Sequence, residues 1–201
     1  MKKVITFLLA LLISSCNNPS VNLEKLSNDA VILAFGDSLT YGTGATDGQA
    51  YPSILEKLTS REVVNEGIPG EITRDGTKRL PELLDKIQPE LLILIHGGND
   101  MIKKIPKQEI SANLAKMITE AKQRDISVIL IGVPEPKLLI SSSSDIYQNL
   151  AAQFQIPADL DTLPEILSTP SLKSDLIHPN AEGYSFLAKK IHELLKQSGA
   201  L

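Results

Sequence analysis

After residue 28, three stretches of four or more residues are apolar without interruption: Ala30 to Phe35, Leu91 to Ile95 and Val128 to Ile131. Continuous rather than alternating apolar residues suit strands covered on both faces, as in a parallel sheet. Val63-Val64 and the region around Ile156 are weaker strand candidates. Helical periodicity fills the intervals. Ile110, Leu114, Met117, Ile118 and Ala121 form one stripe, and Leu80, Leu83, Leu84 and Ile87 another. Ile54, Leu55 and Leu58 make a shorter one. The clearest stripe is the last: Tyr184, Leu187, Ala188, Ile191, Leu194 and Leu195, with Asn180 placed to cap its start and Lys196 favouring its end. Strands alternating with helices predict βαβ units in a three-layer α/β/α sandwich. The patch Ser141 to Ser144 reads as a loop with a helix cap at its end.

The polar segments between these elements indicate where chemistry can gather. In open α/β sheets, ligands bind beyond the carboxyl ends of the strands. Gly36-Asp37-Ser38 follows the first strand, Asn65 to Thr73 the second, and Gly97-Gly98-Asn99-Asp100 the third. Three glycine-rich turns are therefore expected on one edge of the sheet.

The N-terminus departs from this alternation. Met1-Lys2-Lys3 is a positive start, Val4 to Ile13 is almost wholly apolar, and Ser14-Ser15-Cys16 ends in small residues. This is the layout of a secretory signal peptide over residues 1–15. The apolar run is about half the ~20 residues a membrane-spanning helix needs. Leu12-Ile13-Ser14-Ser15-Cys16 is similar to the lipobox of bacterial lipoproteins, in which the Cys becomes the acylated first residue. Residues 16–28 then read as a lipidated tether that holds an exported protein to a membrane of the bacterial cell envelope. The alternative is a soluble periplasmic or secreted protein. Cys16 is the only cysteine of the chain, so it has no intramolecular disulfide partner.

The 201 residues suffice for one globular domain with its own core. There are 24 acidic and 20 basic residues, and two of the basic ones lie in the segment expected to be removed. With neither a basic stripe nor interleaved aromatics, the chain argues against a nucleic-acid partner. Gly42-Thr43-Gly44 lacks the third glycine of a dinucleotide fingerprint, and no Gly-Lys-Ser/Thr phosphate loop is present. No His-Glu-x-x-His or Cys/His cluster offers metal ligands, so neither a metal nor another cofactor is expected.

Ser38 would stand at a helix N-terminus, where a hydroxyl needs a base to become nucleophilic. By itself the turn around it reads first as a capping turn, since such turns are common. Of the three histidines, His192 lies inside the last helix near several lysines, and His96 ends the third strand beside the glycine turn, as a hydrogen-bonded strand-end residue or, alternatively, one that supports the site from behind. His178 sits in a loop before the last helix, three residues after Asp175, which can orient an imidazole and stabilise its protonated form. Gly70 offers a backbone N–H and Asn99 a side-chain amide to a tetrahedral oxyanion. Each also has an ordinary reading as a turn residue.

Four blocks in order resemble the SGNH (GDSL) hydrolase family: Gly36-Asp37-Ser38-Leu39, Asn65 through Gly70, Gly97-Gly98-Asn99-Asp100, and Asp175 through His178. The likeness spans residues 30–198. Val63-Val64-Asn65 with Gly70, and the Gly97–Asp100 block, are most similar to the bacterial thioesterase I/arylesterase/lysophospholipase subgroup. The resemblance implies a hydrolase domain over residues 29–201 and a flavodoxin-like five-stranded parallel sheet in the order 2-1-3-4-5. It implies Ser38 as nucleophile, His178 as general base and Asp175 as its orienting acid. The oxyanion donors would be the Ser38 and Gly70 N–H groups and the Asn99 side chain. Gly70 is preferred to Gly67 because it aligns when Asn65 is matched. Glu66 departs from the family pattern as a charge in a turn that is often small or polar. The expected reaction is hydrolysis of a small ester, thioester or lipid through an acyl-enzyme, with Leu138-Leu139-Ile140 either lining an acyl pocket or packing on a helix. The rivals are a carbohydrate O-deacetylase of the same family and a lipoprotein that binds an acyl or glycan ligand without turnover.

Overall fold

The computed structural model describes residues 21–135 and 142–201. In chain order its elements are β1 (Val31–Gly36), α1 (Ser38–Tyr41), α2 (Tyr51–Thr59), β2 (Glu62–Gly67), α3 (Thr73–Ile87), β3 (Leu91–Ile95), α4 (Gly98–Ile102) and α5 (Lys107–Lys122). Then come β4 (Ser127–Ile131), α6 (Asp145–Phe154), β5 (Ala158–Asp159), α7 (Thr162–Ser168), a 3₁₀ turn at Pro170–Leu172 and α8 (Ala181–Gln197). The strands form one parallel sheet in the order β2-β1-β3-β4-β5. This is the expected order. Helices α3, α5 and α6 pack together on one side, and α2, α7 and α8 on the other.

Strand burial explains why some strands were plain in the sequence and others faint. In β3 every residue is buried, and in β1 and β4 all but the first are, so each reads as a solid apolar run. At one edge, β2 buries only Val63, and at the other β5 is two residues long. Strands with one open edge need less apolar sequence, so their signal is weak. The α2 stripe is rotated from its expected face. Tyr51 and Leu55 are buried while Leu58 is exposed, because the core contact begins one turn earlier than Ile54. In α8 the Asn180 side chain accepts from the Gly183 N–H, as its capping position predicts. Ser144 precedes α6, but its hydroxyl reaches Glu135 and Asp145 rather than a helix N–H.

Register sets the geometry of the site. Gly36 pairs with Gly67 on one side and Ile95 on the other, so the first three strands end level. The loops that follow them start from one line. A Cβ on Gly36 would come within 1.9 Å of the Ile95 carbonyl oxygen, so a side chain there would force β1 and β3 apart. At the opposite edge, the Leu23 N–H donates to Ser198 O and the Leu26 N–H to Ala200 O. Arg61 adds a bond to Ser27 O. The stretch expected as a tether is thus attached to the domain from Leu23 onward. Cys16 and Leu138-Leu139-Ile140 lie outside the described residues.

Candidate active site

Gly36 ends β1, and Asp37 turns the chain into α1 by accepting the Leu39 N–H on Oδ1. This leaves Ser38 first in its helix and half-buried at the mouth of the turn. The Asp175–His178 loop comes from the other end of the chain and is closed by its own bonds. The Ser174 N–H donates to His178 O at 2.9 Å, and Lys173 and Pro179 bridge antiparallel. Asp175 has two tasks. Its Oδ1 accepts the Ile177 and His178 N–H groups, both at 2.8 Å, which bends the loop. Its Oδ2 receives His178 Nδ1 at 2.8 Å. The three-residue spacing thereby serves the backbone and the imidazole together. His178 Nε2 lies 2.9 Å from Ser38 Oγ. With Nδ1–H directed at the carboxylate, Nε2 is left to accept the Ser38 proton. Burial opposes ionisation of Asp175, but the hydrogen bonds from His178 and the two amides outweigh it and hold its carboxyl below the usual range.

The other two motif loops are bonded to this edge and to each other. The Ile68 N–H donates to Gly36 O at 3.1 Å. Asn99, at the start of α4, donates from Nδ2 to Glu71 O at 3.0 Å, which leaves its second amide hydrogen available. Asp100, also on α4, accepts the Thr73 N–H at 2.9 Å and so caps α3, whose own N-cap residue Ile72 makes no such bond. The two candidate glycines differ. The Gly67 N–H is taken by Asn65 Oδ1 at 3.0 Å. No acceptor among the described residues takes the Gly70 N–H or the Ser38 N–H. Gly70 has φ +81°, a left-handed conformation that favours glycine, and a Cβ there would meet nothing within 4 Å.

Beneath these loops lies a buried polar cluster that sequence patterning did not single out. The side chain of Glu71 is 6% exposed, with Oε1 2.7 Å from Arg79 Nε and Oε2 3.1 Å from His96 Nε2. Arg79, on α3, also donates to Gly36 O and Glu66 O, and its guanidinium lies 4.0 Å over the Phe35 ring. It thus ties the ends of β1 and β2. Burial works against the Glu71 charge, but His96 and Arg79 overcome it and hold the carboxyl below its usual range. Glu66, the charge unusual for this turn, sits 3.5 Å from Arg79 Nη1. His96 is fully buried. Its Nδ1 accepts the Gly97 N–H at 2.9 Å, and its carbonyl accepts the Tyr147 hydroxyl at 2.8 Å. His192, in α8, is distant from this edge in sequence and role; burial and the neighbouring Lys196 lower its pKa. Among the described residues, no group of three or more His, Cys, Asp or Glu is placed to hold a metal ion.

A hydroxyl, an imidazole and a carboxylate thus stand in hydrogen-bonded line on the level edge of a doubly wound α/β sheet, an arrangement suited to hydrolytic acyl transfer. The chain belongs to the GDSL-like Lipase/Acylhydrolase family, whose profile matches residues 34–186, and with it to the carboxylic ester hydrolases. It is 31% identical over 176 residues to an arylesterase of Vibrio mimicus, covering 82% of this chain and 88% of the relative. It is 30% identical over 164 residues to the thioesterase 1/protease 1/lysophospholipase L1 of Escherichia coli K12, covering 78% and 79%. A psychrotrophic esterase of Pseudoalteromonas sp., solved inhibited by monoethylphosphonate, shares the fold with a TM-score of 0.74 at 18% identity, covering 84% of this chain and 98% of that one.

Proposed function

We propose that Ser38, His178 and Asp175 are the catalytic triad of an acyl-transfer reaction that proceeds through an acyl-enzyme. The observation that carries this reading is the unbroken line from Asp175 Oδ2 through His178 to Ser38 Oγ, with links of 2.8 and 2.9 Å. His178 takes the Ser38 proton as Oγ attacks the carbonyl carbon, then delivers it to the departing alcohol or thiol. Water, deprotonated by the same imidazole, attacks the acyl carbon and releases Ser38. The oxyanion is held by the Ser38 and Gly70 N–H groups and the second hydrogen of the Asn99 amide. What supports this assignment is that neither N–H group meets an acceptor among the described residues, whereas that of Gly67 does.

The preferred substrates are esters or thioesters with an apolar acyl or aryl group, as the names of the relatives suggest. Five of the six large hydrophobic residues exposed among those described, Tyr41, Ile68, Ile102, Leu176 and Ile177, lie on segments that follow β1, β2 and β3 or precede His178 in the chain. Exposed apolar side chains on these segments suit an acyl chain better than an acetylated sugar. Hydrolysis of acetyl and octanoyl p-nitrophenyl esters tests this. The octanoyl ester should give the higher kcat/KM; a strong acetyl preference would support the deacetylase instead. Covalent capture of a fluorophosphonate on Ser38 is expected, and its absence would favour a binding protein without turnover.

The exported form is held to a membrane through lipid on Cys16. No helix among the described residues is long and apolar enough to cross a membrane itself. Cys16→Ser should move the protein from the membrane to the soluble fraction. The described chain first joins the domain at Leu23 and Leu26, which donate to Ser198 O and Ala200 O beyond the end of α8.

A further inference from the structure

We propose that Glu71 and His96 form a buried positioning pair that sets the two oxyanion donors not carried by the nucleophile, the Gly70 N–H and the Asn99 amide. The proposal rests on the oxyanion assignment given above. Neither residue touches the reacting atoms. Their effect runs through what they hold.

Glu71 closes the turn that carries Gly70: its N–H donates to Ile68 O at 3.2 Å, so anchoring Glu71 restrains the turn in which the Gly70 N–H lies. The Glu71 carbonyl oxygen holds Asn99 Nδ2 at 3.0 Å. One backbone position therefore governs both donors. That position is anchored by its own side chain, bound to Arg79 at 2.7 Å and to His96 at 3.1 Å. His96 acts on Asn99 from the other side. Its Nδ1 accepts the N–H of Gly97, which stands immediately before α4 at φ +105°. An Nδ1 that accepts leaves the ring proton on Nε2, where it is donated to Glu71. Asn99 is thus set at its helix start by His96 and at its amide by Glu71, and these two residues are bonded to each other. Space under the pair is tight: a Cβ on Gly76 would lie 2.8 Å from His96 Nε2. A donor displaced by a fraction of an ångström loses much of its value to an oxyanion, whereas the ground-state ester, bound mainly by its apolar group, is little affected.

Three substitutions separate the links. Glu71→Gln keeps a hydrogen-bonding shape but removes the charge. His96→Asn keeps an acceptor near the Nδ1 position and severs the bond to Glu71. His96→Gln keeps a donor near the Nε2 position and severs the bond to Gly97. Each is assayed with a p-nitrophenyl ester, alone and combined with Asn99→Ala, with active sites counted by fluorophosphonate titration. The expected result is a kcat about 10- to 100-fold lower with KM within about twofold. In the Asn99→Ala background the further loss should shrink to less than about threefold, because one of the two dependent donors is already gone. Wild-type kcat in all three variants, or losses that multiply in full with that of Asn99→Ala, would overturn the proposal. So would a loss of titratable sites in all three, which would assign the pair to folding alone. Failure of the underlying reading is distinct: the wild-type protein itself would then show neither turnover nor titration.

Discussion

Two carboxylate–imidazole pairs stand on the same edge of the sheet. Asp175 meets His178 at 2.8 Å with side chains 52% and 14% exposed, and Glu71 meets His96 at 3.1 Å with side chains 6% and 0% exposed. In both pairs the carboxyl is held below its usual range. The difference lies in the third partner. The free nitrogen of His178 faces the Ser38 hydroxyl, whose proton can leave when oxygen attacks carbon. The corresponding nitrogen of His96 faces the Gly97 amide, whose proton stays. A histidine–carboxylate pair becomes a proton carrier only where the second ring nitrogen meets a group able to give up its proton. Elsewhere the same pair is a strut.

Substitution at the two histidines should expose this contrast most strongly. His178→Ala and Ser38→Ala should each lower kcat by about 10⁴- to 10⁶-fold. Removing both should cost little more than removing one, since they act as a unit. A His96 variant that lost as much as His178→Ala would abolish the distinction between carrier and strut. Asp175→Asn should cost about 10²- to 10⁴-fold, the upper figure being that of a buried triad acid. Because the Asp175 carboxyl is depressed in the fold, its orientation of His178 is present above the ordinary aspartate pKa. It is lost as pH falls through the lower folded value. The acid limb of kcat that reports Asp175 should therefore lie below the ordinary aspartate range. Asn99→Ala should lower kcat by about 10²- to 10³-fold with the melting transition preserved.

Sequence patterning reached the first pair and missed the second. Ser38, Asp175 and His178 lie in short local blocks, and the Asp175–His178 spacing alone suggests a bond. Glu71 and Arg79 are eight residues apart in a charged stretch, with no motif to single out either. Only the fold brings His96 and Phe35 against them. The same limit applies to the fold. The central strands announce themselves because both their faces are covered, while β2 and β5 are faint because an edge asks less of a sequence. Preferring Gly70 to Gly67 rests on a family resemblance. The observation that supports it, a Gly67 amide already taken by Asn65, depends on a side-chain rotamer that patterning does not reveal.

Asp37 offers the finest test, because it lies between the two pairs and belongs fully to neither. Its Oδ1 caps Leu39 at 3.1 Å, but its buried Oδ2 has no hydrogen-bond partner among the described residues. His96 Nδ1 is 4.0 Å away and already turned to Gly97. Burial raises the Asp37 pKa, Asp100 adds to this, and His96, the Leu39 amide and His178 offset it in part. A carboxyl raised in the fold binds its proton more tightly folded than unfolded. Stability should then fall as pH climbs from the unfolded pKa through the folded one, and the penalty persists above it. Asp37→Asn keeps the Leu39 cap and removes the charge. Trading an unpaired buried charge for an unpaired neutral amide is worth about 1 kcal/mol here. For a chain of this size that is a melting temperature higher by about 2–4 °C at neutral pH. The gain should vanish in acid, where the wild-type carboxyl is protonated as well. Urea unfolding of both proteins across the acid-to-neutral range reads the difference directly. An Asp37→Asn variant less stable than wild type at neutral pH would mean that the charge is used through His96, and would join Asp37 to the strut rather than leave it between the two pairs.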